Sequence, residues 1–210
     1  AFKQGQIKKI YCVGQGTAGV AAQAIADIVR YYLPIKDLYV SAMKAPELSG
    51  FFVDENNGDM SDTLVIAISQ SGTTADTNRA VDMVKAQGAR TLCIVNRRDS
   101  DLTFKTDGTL YTSSGRDIEM SVASTKAFYA QIIAGALIGL FLAQETQTRD
   151  TAFITTELEH LLAVPNHMRK VLSLKDEIRL SAEKLAATKT YWAVVGSGPN
   201  KVAADEIRIK

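Results

Sequence analysis

The sequence predicts an α/β fold: a three-layer αβα sandwich in which helices cover both faces of a five-stranded parallel sheet. Two observations point there. Five short, mainly apolar runs, at 7–13, 38–43, 64–68, 91–95 and 109–111, lack the strict polar–apolar alternation of half-exposed strands, as strands buried on both faces do. Segments of helical period lie between them, which is the alternation that a parallel sheet with crossover helices requires.

Each element has its own signal. After the first run, residues 18–32 place Ala21, Ala22, Ile25, Ile28, Val29 and Tyr32 on one stripe, and Pro34 stops the helix. After the third run, 74–87 repeats the pattern through Ala80, Val81, Val84 and Ala86, with Gly88 as a C-terminal stop. Between 127 and 143 the only polar residue is Gln131. That stretch falls short of the about 20 apolar residues a membrane span needs. Gly135 and Gly139 would let it lie close to a neighbour, so it is expected as a core or dimer-interface helix.

Beyond residue 148 the pattern changes. Two amphipathic helices are expected at 151–162 and 165–184, with Pro165 in the first turn of the second. A further buried strand is expected at 191–195, followed by Gly196-Ser197-Gly198 and a helix over 201–210. This repeats the strand, Gly-x-Gly turn and Ala-rich helix of residues 10–25. The domain reading is therefore one unit at 1–148, a helical connector at 149–189, and the truncated start of a second copy at 190–210. The absence of an initiator Met and a last helix without a cap suggest an excised fragment.

Composition excludes several functions. The formal net charge is +1, and the longest basic cluster is Arg97-Arg98, so no nucleic-acid or membrane partner is expected. Cys12 and Cys93 each sit in an apolar run and are expected as buried free thiols of a reduced, cytoplasmic protein. His160 and His167 are seven apart across Pro165, which is no metal spacing, and both are expected on the connector surface.

Two strand-to-helix loops carry candidate chemistry. Gly14-Gln15-Gly16-Thr17-Ala18-Gly19 matches the dinucleotide fingerprint. That reading also wants an acid at the end of the second strand, where Ala42-Met43-Lys44 stands; Asp37 lies at its start. Ser69-Gln70-Ser71-Gly72-Thr73-Thr74 gathers four hydroxyls, one amide and a turning glycine at a helix N-terminus, which is what a phosphate needs. No Lys follows Gly72, so it is not a Walker loop. A plain turn would need only Thr73 or Thr74 as a cap. With strand order 2-1-3-4-5, strands 1 and 3 are neighbours at the topological switch point, and both loops would face one crevice. In the segment 115–126, Ser121, Ser124 and Thr125 are candidates to cap the apolar helix or to meet sugar hydroxyls.

SQSGTTADT at 69–77, LCIVNRRDSDL at 92–102 and SVASTKAF at 121–128 resemble the sugar-isomerase (SIS) domain of glutamine–fructose-6-phosphate aminotransferases over nearly the whole chain. The resemblance implies a flavodoxin-like order for the five-stranded sheet, and two such domains in tandem. It implies a sugar-phosphate ligand, fructose 6-phosphate or glucosamine 6-phosphate, no metal or redox cofactor, a homodimer, and a separate glutaminase domain that releases ammonia. Carried over by position, Ser69, Gln70, Ser71 and Thr74 resemble the phosphate cradle, and Thr17 a ligand contact of the first loop. Val122, through its backbone, and Ser124 resemble groups that hold the sugar, and Lys210 resembles a lysine lining the active site. The family's isomerising Glu would follow three residues later. The chain departs from the pattern at Ala18, where the family has a phosphate-binding Ser, and in a loop before Val122 that is about two residues longer. The competing reading is a sugar-phosphate sensor domain of a transcriptional regulator.

Overall fold

The computed structural model describes residues 1–52, 58–114 and 124–210. Five parallel strands form one sheet: β1 (Lys9–Gly14), β2 (Tyr39–Lys44), β3 (Thr63–Ser69), β4 (Arg90–Val95) and β5 (Gly108–Tyr111). Their order is β2-β1-β3-β4-β5, as expected. Register is set by pairs such as Val13↔Met43, Val13↔Ala67 and Ser69↔Val95. Every residue of β3 is buried, which explains why its sequence lacks alternation.

Helices cover both faces. On one, α1 (Thr17–Tyr32) packs with Ile10, Cys12, Ile66, Ile68 and the apolar helix in the main core cluster. On the other lie α2 (Ala45–Glu47) with a π-helical turn (Leu48–Phe52), then α3 (Ala75–Ala86) and α4 (Asp101–Lys105). Both cysteines are buried and free, and burial pushes the Cys12 thiol up to about 12.

The apolar helix, α5 (Lys126–Thr146), has the length and hydropathy of a membrane span, yet it packs on α1. A Cβ on Gly135 would stand 2.4 Å from Ile25 Cγ1, and one on Gly139 2.9 Å from the Tyr32 ring. The G-x-x-x-G spacing thus serves close packing within the chain. Tyr129, Leu137 and Phe141 remain exposed on the same helix.

The connector differs from the sequence reading. Helix α6 (Thr151–Leu172) runs through Pro165 and breaks only at Ser173–Leu174, before α7 (Lys175–Leu185). Pro165 lies on an exposed stretch, where water can satisfy the carbonyl left without its amide partner. His160 is on this surface, 3.3 Å from Glu157, and His167 is exposed.

The expected strand at 191–195 is not one. It has no regular secondary structure, with Tyr191 92% and Val195 93% exposed. An apolar run becomes a buried strand only where a neighbour shares its hydrogen bonds, and among the described residues no strand pairs with it. The helix after it, α8 (Pro199–Ile209), does form, and it packs against α1.

Candidate functional site

The loop at 69–74 leaves the carboxyl end of β3 and opens α3. Because β3 lies beside β1, it stands next to the 14–19 loop. Its shape is held from within and from below. Gly72 takes φ +68, and its N–H donates to Ser69 Oγ at 3.0 Å. The Gln70 carbonyl accepts from the Asn96 and Arg97 amides, and the Gly72 carbonyl from the Leu102 amide. The segment 96–102 therefore serves as a floor for the loop, which gives a physical role to the NRRDSDL stretch. A Cβ at Gly72 would lie 2.0 Å from Ser100 Oγ, so only glycine fits.

The predicted phosphate ligands are placed as follows. Ser69 is buried, and its oxygen accepts the Gly72 amide while keeping its own proton to donate. Ser71 is half-buried, and its oxygen accepts from the Thr73 amide and hydroxyl at 3.2 and 3.0 Å. Thr74 sits at the N-cap of α3 without a side-chain capping bond, so its hydroxyl is not consumed by the helix. Gln70 is half-buried at the mouth. Ser71, Gln70 and Thr74 thus present hydroxyl and amide groups at the positive end of a helix whose first-turn amides have no side-chain cap, the composition that binds a phosphate.

A second cluster forms around α8. Thr17 is buried, and its hydroxyl donates to Glu206 Oε1 at 3.3 Å. Lys210 Nζ lies 2.8 Å from the same oxygen and also donates to the Ser124 carbonyl. Thr17, Ser124 and Lys210, expected separately, are brought together here. Glu206, which joins them, was not expected. It is 7% exposed, and its second oxygen is buried without a partner among the described residues. Its sequence signal is an i, i+4 Glu–Lys pair in register with buried Val202, an acid and a base on the inward stripe of a helix. Ser124 is buried at the entrance of α5, and Thr125 stands at that helix's N-cap position. Val122 and Ser121 lie outside the described residues.

A cavity of about 740 Å³ opens on the β2 side of the first loop, lined by Gln15, Gly16, Met43, Lys44, Lys201 and Arg208 among others. It does not include residues 69–74, so it borders one of the two loops rather than both. At the end of β2 it presents Lys44, not the acid a ribose would need, which agrees with the case against a dinucleotide. Among the described residues no group of three or more His, Cys, Asp or Glu is arranged to hold a metal ion.

A family model for the SIS domain matches residues 5–140. The chain is 44% identical over 128 residues to the isomerising glutamine–fructose-6-phosphate aminotransferase of Mycolicibacterium smegmatis, covering 61% of the chain and 20% of that protein. It is 34% identical over 184 residues to the same enzyme of Corynebacterium glutamicum, covering 88% of the chain and 28% of that protein. Among solved structures, it is similar to the C-terminal domain of glucosamine-fructose-6-phosphate aminotransferase from Francisella tularensis. The TM-score is 0.87 at 27% identity, over 99% of this chain and 56% of that one. The chain thus spans between a fifth and somewhat over a quarter of the length of these curated relatives.

Proposed function

The chain belongs to the SIS domain family, and from that premise we propose that it is the sugar-phosphate-binding part of an isomerising glutamine–fructose-6-phosphate aminotransferase. The observation that carries this reading is the loop at 69–74. Its Gln70, Gly72 and Thr74 carbonyls are tied to the protein, while Ser71, Thr73 and Thr74 reach the surface beside the uncapped first turn of α3.

In this reading Ser69, Gln70, Ser71 and Thr74 hold the phosphate of fructose 6-phosphate or glucosamine 6-phosphate. The phosphate takes no part in the chemistry; fixing it orients the sugar carbons. The parent reaction forms an imine at the ketone with ammonia and then moves a proton between neighbouring carbons by way of a carboxylate. Lys210 stands on the inward face of α8 as the cation that meets the sugar, with Thr17 and Ser124 beside it, and Val122 completes the sugar contacts. Ala18 removes one hydroxyl from this set. No metal or redox cofactor is needed.

The parent is a cytoplasmic homodimer that also carries a glutaminase domain. The exposed apolar residues of α5 support a self-association face. Residues 190–210 begin a second SIS unit. Support comes from backbone geometry: Gly16 and Gly198, each the N-cap of the following helix, take φ 59, ψ −131 and φ 53, ψ −134. A Cβ on Gly14 would strike the Ala18 carbonyl at 2.6 Å, and one on Gly196 the Asn200 carbonyl at 2.2 Å. The same turn is built twice, which favours the tandem enzyme over a single-domain sensor of a transcriptional regulator.

The test is calorimetric titration with glucosamine 6-phosphate. Saturable binding is expected, weakened about tenfold or more by Ser71→Ala or Thr74→Ala, with free glucosamine not binding. Binding that neither substitution changes would refute the assignment of the loop.

A further inference from the structure

The residue that sets the orientation of the phosphate loop lies outside the loop, one helical turn along α3. Asn78 is 7% exposed, and its side-chain amide reaches back to the loop backbone. Nδ2 donates to the Gly72 carbonyl at 3.0 Å and to the Thr74 carbonyl at 3.0 Å. The Gly72 carbonyl also accepts the Leu102 amide, and the Thr74 carbonyl the Asn78 amide, each at 3.0 Å. Each of these two carbonyl oxygens therefore has two donors and no lone pair left over for solvent.

In a trans peptide the C=O and the following N–H point in opposite directions. Holding the Gly72 and Thr74 carbonyls inward turns the Thr73 and Ala75 N–H groups outward, at two exposed residues. Those are the donors that an anion at the start of α3 meets, together with the Ser71 and Thr74 hydroxyls. Among the described residues the Thr73 amide donates to Ser71 Oγ at 3.2 Å, an exposed contact that an oxyanion can replace.

Asn78 also carries a cost. It occupies the buried face of α3 beside Val81, where an apolar residue would continue the stripe, and its Oδ1 is buried with no partner among the described residues. An orphaned buried acceptor destabilises a fold, and a leucine here would not carry that penalty. The same side chain cannot be turned over, because Oδ1 would then face two carbonyl oxygens.

We infer that Asn78 is a positioning residue for phosphate recognition, which fixes two peptide planes so that the Thr73 and Ala75 amides face the ligand. The inference rests on the reading of 69–74 as a phosphate cradle and assigns that cradle its support. Its function is preorganisation: the donors are aimed before the anion arrives, so no reorientation is needed on binding.

The test uses this chain, with glucosamine 6-phosphate and inorganic phosphate as probes, followed by calorimetry and by amide nuclear magnetic resonance. In the unaltered chain the Thr73 and Ala75 amides shift on saturation. Asn78→Leu is expected to lower affinity about tenfold, as the loss of two neutral hydrogen bonds implies, and to quench those two amide shifts. Its melting midpoint stays equal or rises, because the orphaned acceptor is gone. Asn78→Asp, isosteric but without the donor, is expected to weaken binding at least as much. Affinity unchanged in the Leu variant would overturn the inference while leaving the phosphate reading intact. Affinity that falls only in step with a lowered melting midpoint would assign Asn78 to folding and also overturn it. If the unaltered chain binds neither probe, the phosphate reading fails and the inference with it.

Discussion

Gly72→Ala tests how tightly the 69–74 loop is seated on its floor. The backbone at 72 has φ +68, which costs an L-residue roughly 1–2 kcal/mol. The new methyl would stand 2.0 Å from Ser100 Oγ, 2.6 Å from Ser100 Cβ and 3.1 Å from Val95 Cγ2. Rotating the Ser100 hydroxyl away breaks its bond to the Arg97 carbonyl, a loss of about 1 kcal/mol. Rotation cannot move Ser100 Cβ, so the 96–102 segment must shift, an overpacking cost of about 1–3 kcal/mol. The total is about 3–6 kcal/mol, to be read as the displacement of the urea midpoint by far-ultraviolet circular dichroism at constant slope. The structure makes a sharper claim through a double-mutant cycle. In a Ser100→Gly background both offending atoms are absent, and Gly72→Ala should then cost only about 1–2 kcal/mol, mainly the backbone term. Equal costs in the two backgrounds would refute the idea that Ser100 forms the loop's floor.

Two further outcomes are expected. Glu206→Gln and Lys210→Met each remove one side of a pair whose acid is buried and whose lysine is partly exposed, and each should cost about 1–3 kcal/mol, while the double variant costs less than the sum; strict additivity in thermal melts would count against the pair. For Asp107, burial pushes the carboxyl up, but hydrogen bonds from Lys85 and from the Thr91 amide and hydroxyl outweigh it and hold the value below the usual carboxylate range. A depressed folded-state pKa gives stability that is present above the unfolded value and lost as pH falls through the folded one. Asp107→Asn should therefore flatten the acid limb of the stability–pH curve below about pH 4, and an unchanged limb would show that Asp107 contributes nothing to it.

The sheet was legible because buried parallel strands need no partner to be recognised by composition; 64–68 could hardly be anything else. The loop at 69–74 was legible because six polar residues in a row exceed what a helix cap consumes. The same reasoning failed at 191–195, where composition gave an apolar run and only the position of a neighbour decides whether it pairs. It failed again at Pro165, where the penalty for a helical proline depends on whether the freed carbonyl reaches water. Glu206 and Asn78 escaped for a related reason. Each is an ordinary residue on a helix, and its role resides in what it reaches across space, a carbonyl six positions back or a hydroxyl from the first loop. Ser69 was expected to open the loop, yet it is the last residue of β3, and its acceptance of the Gly72 amide depends on a backbone turn that no residue pattern displays.

The bond between Thr17 and Glu206 spans 189 residues of chain. At typical elongation rates, roughly 10–40 s separate the synthesis of its two ends. Well before that interval ends all five strands have been made, so the sheet and the 69–74 loop can form while Thr17 still lacks its acceptor and the Ser124 carbonyl its ammonium. A nascent chain would hold the 69–74 loop before the cluster of Thr17, Glu206 and Lys210 has been made, and the arrival of α8 on α1 is the step that completes that cluster.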